Sequence, residues 1–174
     1  MSIELESLST ILSDSAASPN MRPERIAPSA YYDLQYRCAI IAAAIEICGK
    51  SEGAFQKLSS ARLRLFQFVA IRPWLLRPVR EWSAARKDRQ RSLRSVQSLR
   101  KGFLNDQMHD AVIDYMVAIG YLFKQKGQIA SPSPESKLSH LFKDLEVNHL
   151  FEAERNTLHQ LNEIVVTSDM LEGW

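Results

Sequence analysis

Residues Asn105–Ser131, NDQMHDAVIDYMVAIGYLFKQKGQIAS, combine two structural periods and decide the fold class. Apolar residues recur there at steps of three and four, as in an amphipathic helix: Met108, Val112, Tyr115, Met116, Ile119, Leu122 and Phe123. Gly120 is a typical residue for ending such a helix. Residues 121–130, with Gly127 in the turn, predict a short β-hairpin, so the last two apolar residues belong either to the helix or to the first strand. A helix followed at once by a hairpin is the second half of a winged helix. The sequence therefore predicts a mostly α-helical domain with a small winged-helix-like β-hairpin.

The length and composition of the chain are those of ordinary globular material. Its 174 residues are 45% hydrophobic and 24% charged, which is enough to bury a core. No apolar run approaches the roughly 18 residues of a membrane span, and the acidic first residues, 1–6, do not resemble a signal peptide. We therefore expect a cytoplasmic protein with no membrane partner. Cys38 and Cys48 lie about 15 Å apart along one predicted helix, which is too far for a disulfide.

Charge is divided unevenly along the chain. Residues 1–101 hold 17 Lys and Arg against 9 Asp and Glu, whereas residues 102–174 hold 5 against 11. The first part is therefore basic and the second acidic, although the net charge is only +2. Either the two parts have different partners, or they attract each other.

The chain divides into an appendage and one domain. Residues 1–29 combine a short amphipathic segment, which docks on this chain or on a partner, with a Ser- and Pro-rich linker. Residues 30–174 are predicted to form a single α-helical, winged-helix-like domain. Its first helix, Tyr31–Cys48, is apolar on nearly every face and ends at Gly49. Such a helix is either the centre of the core or shared with another subunit.

Two further helices are predicted before residue 105. The first spans Ala54–Ile71, with four side chains facing the core: Leu58, Leu65, Phe66 and Val69. Pro73 and Pro78 interrupt the helical pattern. The apolar corner between them is predicted to meet a partner protein; its residues are Trp74, Leu75 and Leu76. A long helix is allowed from Val79 to Lys101, and Gly102 is predicted to end or kink it.

The last part of the chain predicts two more helices. Ser133 is expected to cap the first, with Pro134 in its first turn. This helix runs to about Leu145. The second is rich in leucine and spans Leu150–Val165, before a tail that ends in Trp174.

Five cations share one side of the helix predicted for residues 79–101. If that helix is continuous, at about 100° per residue, they fall within an arc of roughly 80°: Arg80, Lys87, Arg91, Arg94 and Lys101. A cationic face of this kind predicts contact with the backbone of double-stranded DNA. The alternatives are a solvated face and a face that pairs with the acidic part of the chain. No aromatic platform matches these cations, so stacking of single-stranded bases is not indicated.

Three aspartates recur at every fourth residue, namely Asp106, Asp110 and Asp114. This spacing predicts one outward face of the helix that precedes the hairpin. Carboxylates there would repel phosphates, so this helix is not expected to read bases in the major groove. The face is predicted instead to meet a basic surface on a partner protein, the alternative being ordinary solvated surface.

The sequence carries no catalytic, metal-binding or nucleotide-binding motif. Its four histidines lack metal-ligand spacing, and its six glycines are scattered, so no phosphate-binding loop is indicated. Asp110 and Asp114, with His109 beside them, could in principle carry out acid–base chemistry. However, two aspartates at i, i+4 on a polar helix face are typical of solvated surface. We expect a protein that is not an enzyme and has no cofactor.

The layout of residues 30–174 resembles that of small "middle" subunits of bacterial three-component ABC-ATPase anti-phage systems, the Lamassu group included. The resemblance rests on the helix, glycine and hairpin of Asp110–Ile129, the capped helix at Ser133, the Leu-rich Leu150–Val165, the tail and the segment LRLFQFVAIRPWLL at 63–76. It implies a non-catalytic subunit that binds an SMC/Rad50-like ATPase and helps to hold an effector, often a nuclease. No functional residue can be transferred, because the family has no sufficiently specific motif.

Two functions follow from these observations. The first is a non-catalytic subunit of an SMC/Rad50-like ATPase complex in antiviral defence, which bridges the ATPase and the effector and contacts the DNA backbone. The alternative is a free-standing winged-helix transcriptional regulator. A regulator should be a stable homodimer, since paired half-sites mirror two-fold symmetry, whereas a subunit should gain solubility from its partner.

Overall fold

The computed structural model describes residues 33–52, 55–84, 99, 101–132, 136–166 and 171. In chain order its elements are α1 (Leu34–Cys48), β1 (Lys50–Glu52), β2 (Phe55–Ser59), α2 (Ser60–Ala70), a 3-10 turn (Pro73–Leu75), α3 (Leu76–Ala84), α4 (Gln107–Ala118), β3 (Phe123–Gln125), β4 (Gln128–Pro132), α5 (Lys137–Val147) and α6 (Glu152–Asn162). The chain is therefore mostly helical with a small antiparallel sheet, as predicted. The appendage predicted for residues 1–29 lies outside the described residues.

Helix α1 is the centre of the core. Asp33 caps its start by accepting a hydrogen bond from the backbone N–H of Tyr36 at 2.9 Å, and Gly49 follows its last residue. Every residue from Ala39 to Ile45 is fully buried, because α2, α4, α5, α6 and β2 all pack against it. The prediction of a central core helix is confirmed. Its own chain covers Ala39–Ile45, whereas Leu34 at the start of the helix is 36% exposed, so an interface with another subunit stays a prediction for the ends of α1.

Residues 55–59 form strand β2 and not the first turns of a helix, so the prediction of one helix over Ala54–Ile71 was wrong at its start. Helix α2 begins only at Ser60, and the Ser59 hydroxyl caps it by accepting from the Arg62 N–H at 3.3 Å. Leu58 is buried as predicted, but from the strand. The strand exists because all five of its residues pair with β4, and pairing of this kind overrides local propensity.

The four strands form an antiparallel sheet in the order β1-β2-β4-β3. Strand β4 lies between β2, where Leu58 is the partner of Ile129, and β3, where Phe123 is the partner of Ala130. The hairpin predicted for residues 121–130 is confirmed, and its first strand begins at Phe123. This hairpin is not isolated, since β4 joins it to the β1–β2 hairpin that the sequence did not predict.

The end of α4 shows why the chain turns into the hairpin. Gly120 adopts φ +77°, a left-handed conformation that glycine accepts without steric cost. Its N–H donates to the Val117 carbonyl at 3.0 Å, and the Tyr121 N–H donates to the Met116 carbonyl at 2.9 Å. These two bonds make a Schellman motif. The prediction that Gly120 ends the helix is confirmed.

The structure describes both ends of the helix predicted for Val79–Lys101. Helix α3 already starts at Leu76, so Pro78 lies in its first turn, where proline is tolerated. Residues 85–98 and 100 lie outside the described residues, so a single long helix stays a prediction. Residues 101–104 are helical, with Gly102 among them, and the chain turns at Asn105. Gly102 therefore does not end the helix, and the predicted alternative of a kink stays a prediction.

Gly102 is explained by close packing against Phe68. A Cβ atom added at Gly102 would lie 2.8 Å from Cζ of the Phe68 ring. This ring cannot move away freely, because it is buried and the Arg72 guanidinium stacks on it at 4.1 Å from the ring centroid.

Replacing Gly102 by Ala is expected to lower the free energy of unfolding by about 1–3 kcal/mol, the usual cost of overpacking a core. The effect opposes the higher helix propensity of alanine, which alone would stabilise by about 1 kcal/mol. Urea denaturation measures it. The double change Gly102→Ala and Phe68→Leu should recover part of the loss, and a Gly102→Ala protein more stable than the parent would contradict the packing argument.

Helix α5 starts three residues later than predicted. Its cap is Ser136, whose hydroxyl accepts from the Ser139 N–H at 3.0 Å; Ser133 and Pro134 lie outside the described residues. The Ser131 hydroxyl donates to Ser136 at 3.0 Å, and the Ser139 hydroxyl donates to Glu46 of α1 at 2.6 Å. This buried network ties the helix start to β4 and α1. It is a tertiary contact that decides between two serines of equal capping ability.

Candidate interaction surfaces

Trp74 stands at the corner between α2 and α3 with 62% of its surface exposed. The preceding Arg72 holds this corner, because its guanidinium stacks on the Phe68 ring and donates to the Phe68 carbonyl at 3.2 Å. Leu75 and Leu76 are partly buried and pack against the core. Of the three residues predicted to form a partner interface here, Trp74 is thus the one presented to solvent, on a braced turn.

A shallow groove lies beside this corner, between α3 and the end of α6. Its volume is about 380 Å³. Two hydrogen bonds hold its walls together: Arg80 donates to the Gln160 side-chain oxygen at 2.8 Å, and the Ser83 hydroxyl donates to the Val165 carbonyl at 2.8 Å. Val165 is 70% exposed, so the predicted Leu-rich helix does not bury its last residue. Polar and apolar side chains line the groove together.

Asp106 does not lie on the outward face of α4. Its side chain is 8% exposed, and both carboxylate oxygens accept from Nη1 of Arg37 at 3.0 Å, with Arg37 itself 2% exposed. The physical reason is that Asp106 precedes α4 in a non-helical conformation, so the four-residue spacing does not apply to it. The predicted outward face of three aspartates was wrong at this residue, and a buried carboxylate is not available to a partner protein.

Asp110 and Asp114 are exposed, as the spacing predicted, but each has a cation beside it. Asp110 pairs with Arg64 of α2, and Asp114 accepts from Lys124 of β3 at 2.5 Å. Both carboxylates stay accessible, because the side chains of Asp110 and Asp114 are 60% and 66% exposed. Exposed pairs of this kind contribute at most about 1 kcal/mol. Contact of these two residues with a partner stays a prediction.

Only two of the five cations predicted to follow DNA belong to the described residues. Arg80 of α3 and Lys101 are both exposed, and Arg80 bonds a neutral amide oxygen, not a carboxylate. Lys87, Arg91 and Arg94 lie outside the described residues. The continuous cationic face therefore remains a prediction.

His109 points into the core, away from Asp110 and Asp114. It is fully buried, and its Nδ1–H donates to the side-chain oxygen of Gln67. The Nε2 atoms of both residues lack a partner among the described residues. Burial, reinforced by the Arg64 guanidinium, lowers the pKa of His109 from 6.5 to about 4. The acid–base arrangement allowed by the sequence is not formed, because the imidazole and the two exposed carboxylates occupy different sides of α4.

Within the residues that the structure describes, no three His, Cys, Asp or Glu side chains group in a way that would hold a metal ion. No helix there has the length and apolar composition needed to cross a bilayer. Both cysteines are buried and free, and burial raises the pKa of each thiol to about 12.

Comparison with known protein families, with curated proteins and with solved structures finds no match for this chain. Any function must therefore be argued from the surfaces themselves.

Sequence reasoning missed the residues that neutralise the aspartates. Arg37 is the one charged residue between Asp33 and Glu46, within the apolar helix α1. A lone cation in a buried helix requires a carboxylate or a hydrogen-bond acceptor, and that signal could have predicted an ion pair, though not its partner. The pairing with Asp106 spans 69 residues.

Proposed function

We propose that this chain is a non-catalytic, cytoplasmic subunit of an SMC/Rad50-like ATPase complex of the anti-phage type, and that it bridges the ATPase and an effector. The observation that carries the proposal is Trp74, a large aromatic side chain exposed on a braced turn. Tryptophan is among the residues that most often dominate the energy of protein interfaces. A rigid turn also lowers the entropy lost on binding.

The surroundings of Trp74 support docking of a protein. Leu75 and Leu76 extend the apolar base of the corner. Arg77 is highly exposed, and Arg80 borders the adjoining groove. Tryptophan and arginine are both enriched at protein interfaces, and this part of the surface presents both.

The charged residues enter the proposal in two places. Asp110 and Asp114 would face a basic surface of a partner and mainly speed its association. Arg80 and Lys101, with Lys87, Arg91 and Arg94, would contact the backbone of double-stranded DNA in the assembled complex. The exposure of Arg80 and Lys101 supports this second role.

Replacing Trp74 by Ser is expected to weaken binding to the ATPase subunit about 30-fold, which corresponds to roughly 2 kcal/mol for a hot-spot residue. The full chain is mixed with the SMC/Rad50-like ATPase subunit proposed as its partner, and their affinity is measured by isothermal titration. Val147→Ser is the matched control, since Val147 of α5 is 76% exposed and lies outside the corner. Its affinity should equal that of the parent.

Two results would count against the proposal. One is a parent chain that binds no ATPase subunit. The other is a stable homodimer that binds duplex DNA by itself, which would favour the winged-helix regulator instead. Equal weakening by Trp74→Ser and Val147→Ser would show that the corner is not the docking site.

A further inference from the structure

The sheet has one face packed against helices and one face open to solvent. Leu58 and Ile129, which are directly paired, are both buried and define the inner face. Since successive residues of a strand point to opposite faces, the registers place a second set of positions on the outer face: Lys50, Glu52, Phe55, Lys57, Ser59, Phe123, Gln125, Gln128, Ala130 and Pro132.

Two aromatic rings meet on this outer face. Phe55 of β2 and Phe123 of β3 lie on either side of β4, with ring centroids 5.2 Å apart and an interplanar angle of 76°. Phe55 is 37% exposed and Phe123 is partly exposed. Ala130 of β4, the direct partner of Phe123, is fully buried between their strands and has too small a side chain to separate the rings.

Two lysines stand in the same part of the face. Lys50 and Lys57 are direct cross-strand partners, although like charges opposite each other destabilise a sheet. Lys50 is exposed, and the Lys57 ammonium lies 6.0 Å from the centroid of the Phe55 ring. By register, these positions of β1 and β2 hold two lysines, Lys50 and Lys57, and one glutamate, Glu52.

We propose that this outer face binds single-stranded nucleic acid, with a base stacked on Phe55 or Phe123 and phosphates held near Lys50. Exposed aromatic side chains on a sheet stack unpaired bases, and neighbouring cations neutralise the backbone. The amides of Gln125 and Gln128, both exposed, can hydrogen-bond base edges. A duplex offers no free base faces to such a surface. This site is distinct from Trp74 and from the predicted cationic helix, so it does not depend on the proposed function.

The test measures fluorescence anisotropy of labelled oligothymidine and oligouridine, about 15 nucleotides long to cover the usual site size, with the full chain at low salt. Phe55→Thr and Phe123→Thr keep strand propensity but remove the stacking surface. Each should weaken binding of the single strand about 5- to 150-fold, as loss of one base stack does, and Phe55→Tyr should restore it. Lys50→Gln should reduce the slope of log affinity against log salt by about 0.7. Lys143→Gln, which changes an exposed lysine of α5, is the matched control and should change neither quantity.

The outcomes separate the proposal from its rivals. Tighter binding of the DNA or of the RNA strand would identify which of the two the face prefers. Equal weakening of duplex binding by the two phenylalanine variants, or no effect of these variants on single-strand binding, would overturn the proposal, as would a dimer of the chain held together by this face. Amide chemical shifts of the unmodified protein give a check that needs no variant. On addition of oligothymidine they should change at β1–β4 and not at α5 or α6, and changes confined elsewhere would also overturn it.

Discussion

Replacing Arg37 by Met should lower the free energy of unfolding by about 3–5 kcal/mol, the usual cost of removing one partner of a buried ion pair. The Asp106 carboxylate would remain 8% exposed without its cation, inside a protein whose total stability is typically about 5–15 kcal/mol. The loss should also free the start of α4 from α1, because this pair joins the two helices. Chemical denaturation of the purified chain measures the change.

Two control variants separate the loss of a buried ion pair from the loss of any arginine. Arg77→Met removes the cation of an exposed pair with Glu81, so its effect should stay below about 1 kcal/mol. The double change Arg37→Met and Asp106→Leu replaces the whole buried pair by apolar side chains and should restore most of the stability. If Arg37→Met cost no more than Arg77→Met, the buried pair would not be what holds α4 to α1.

Acid should destabilise the protein through His109. The folded pKa of about 4 lies below the ordinary value of 6.5, because burial and the Arg64 guanidinium disfavour the imidazolium. The unfolded chain therefore binds a proton that the folded chain excludes. The stabilising contribution is fully present above pH 6.5 and is lost as the pH falls toward about 4. We expect the free energy of unfolding to fall by about 1.4 kcal/mol per pH unit in that window, or roughly 3 kcal/mol in all.

Variants at two histidines isolate the contribution of His109. His109→Gln keeps a polar side chain beside Gln67 but cannot titrate, so its stability should fall less steeply between pH 6.5 and about 4. His159→Gln removes an exposed histidine of α6 and should keep the steep fall of the parent. Unfolding curves collected across this pH range measure both. Parallel pH profiles for the parent and His109→Gln would show that His109 is not buried in its neutral form.

The elements that local chemistry specifies were predictable from the sequence. Helix α4 follows from apolar residues at steps of three and four, its end follows from Gly120, and the β3–β4 turn follows from Gly127, which has φ +75°. The uniform apolarity of α1 likewise predicted its central place. In each case the deciding interaction lies within a few residues of the chain, as helix bonds, caps and tight turns do.

The features that sequence reasoning missed depend on partners far away in the chain. Phe55 was assigned to the helix predicted for Ala54–Ile71, whereas β4 supplies the hydrogen bonds that make β2 a strand. The Phe55–Phe123 pair could not be foreseen, since it needs the register of three strands at once. Without that register, the sequence showed no aromatic platform.

The sequence by itself determined the fold class, the central helix, the hairpin and the exposed corner residue Trp74, because periodicity, glycine and proline act over short distances. Only the tertiary structure decided which charges are neutralised and which are open. It buried Asp106 against Arg37 and paired Asp110 and Asp114 with Arg64 and Lys124. The reason is that the energy of a charge depends on burial and on the nearest opposite charge, and neither quantity is written in local spacing.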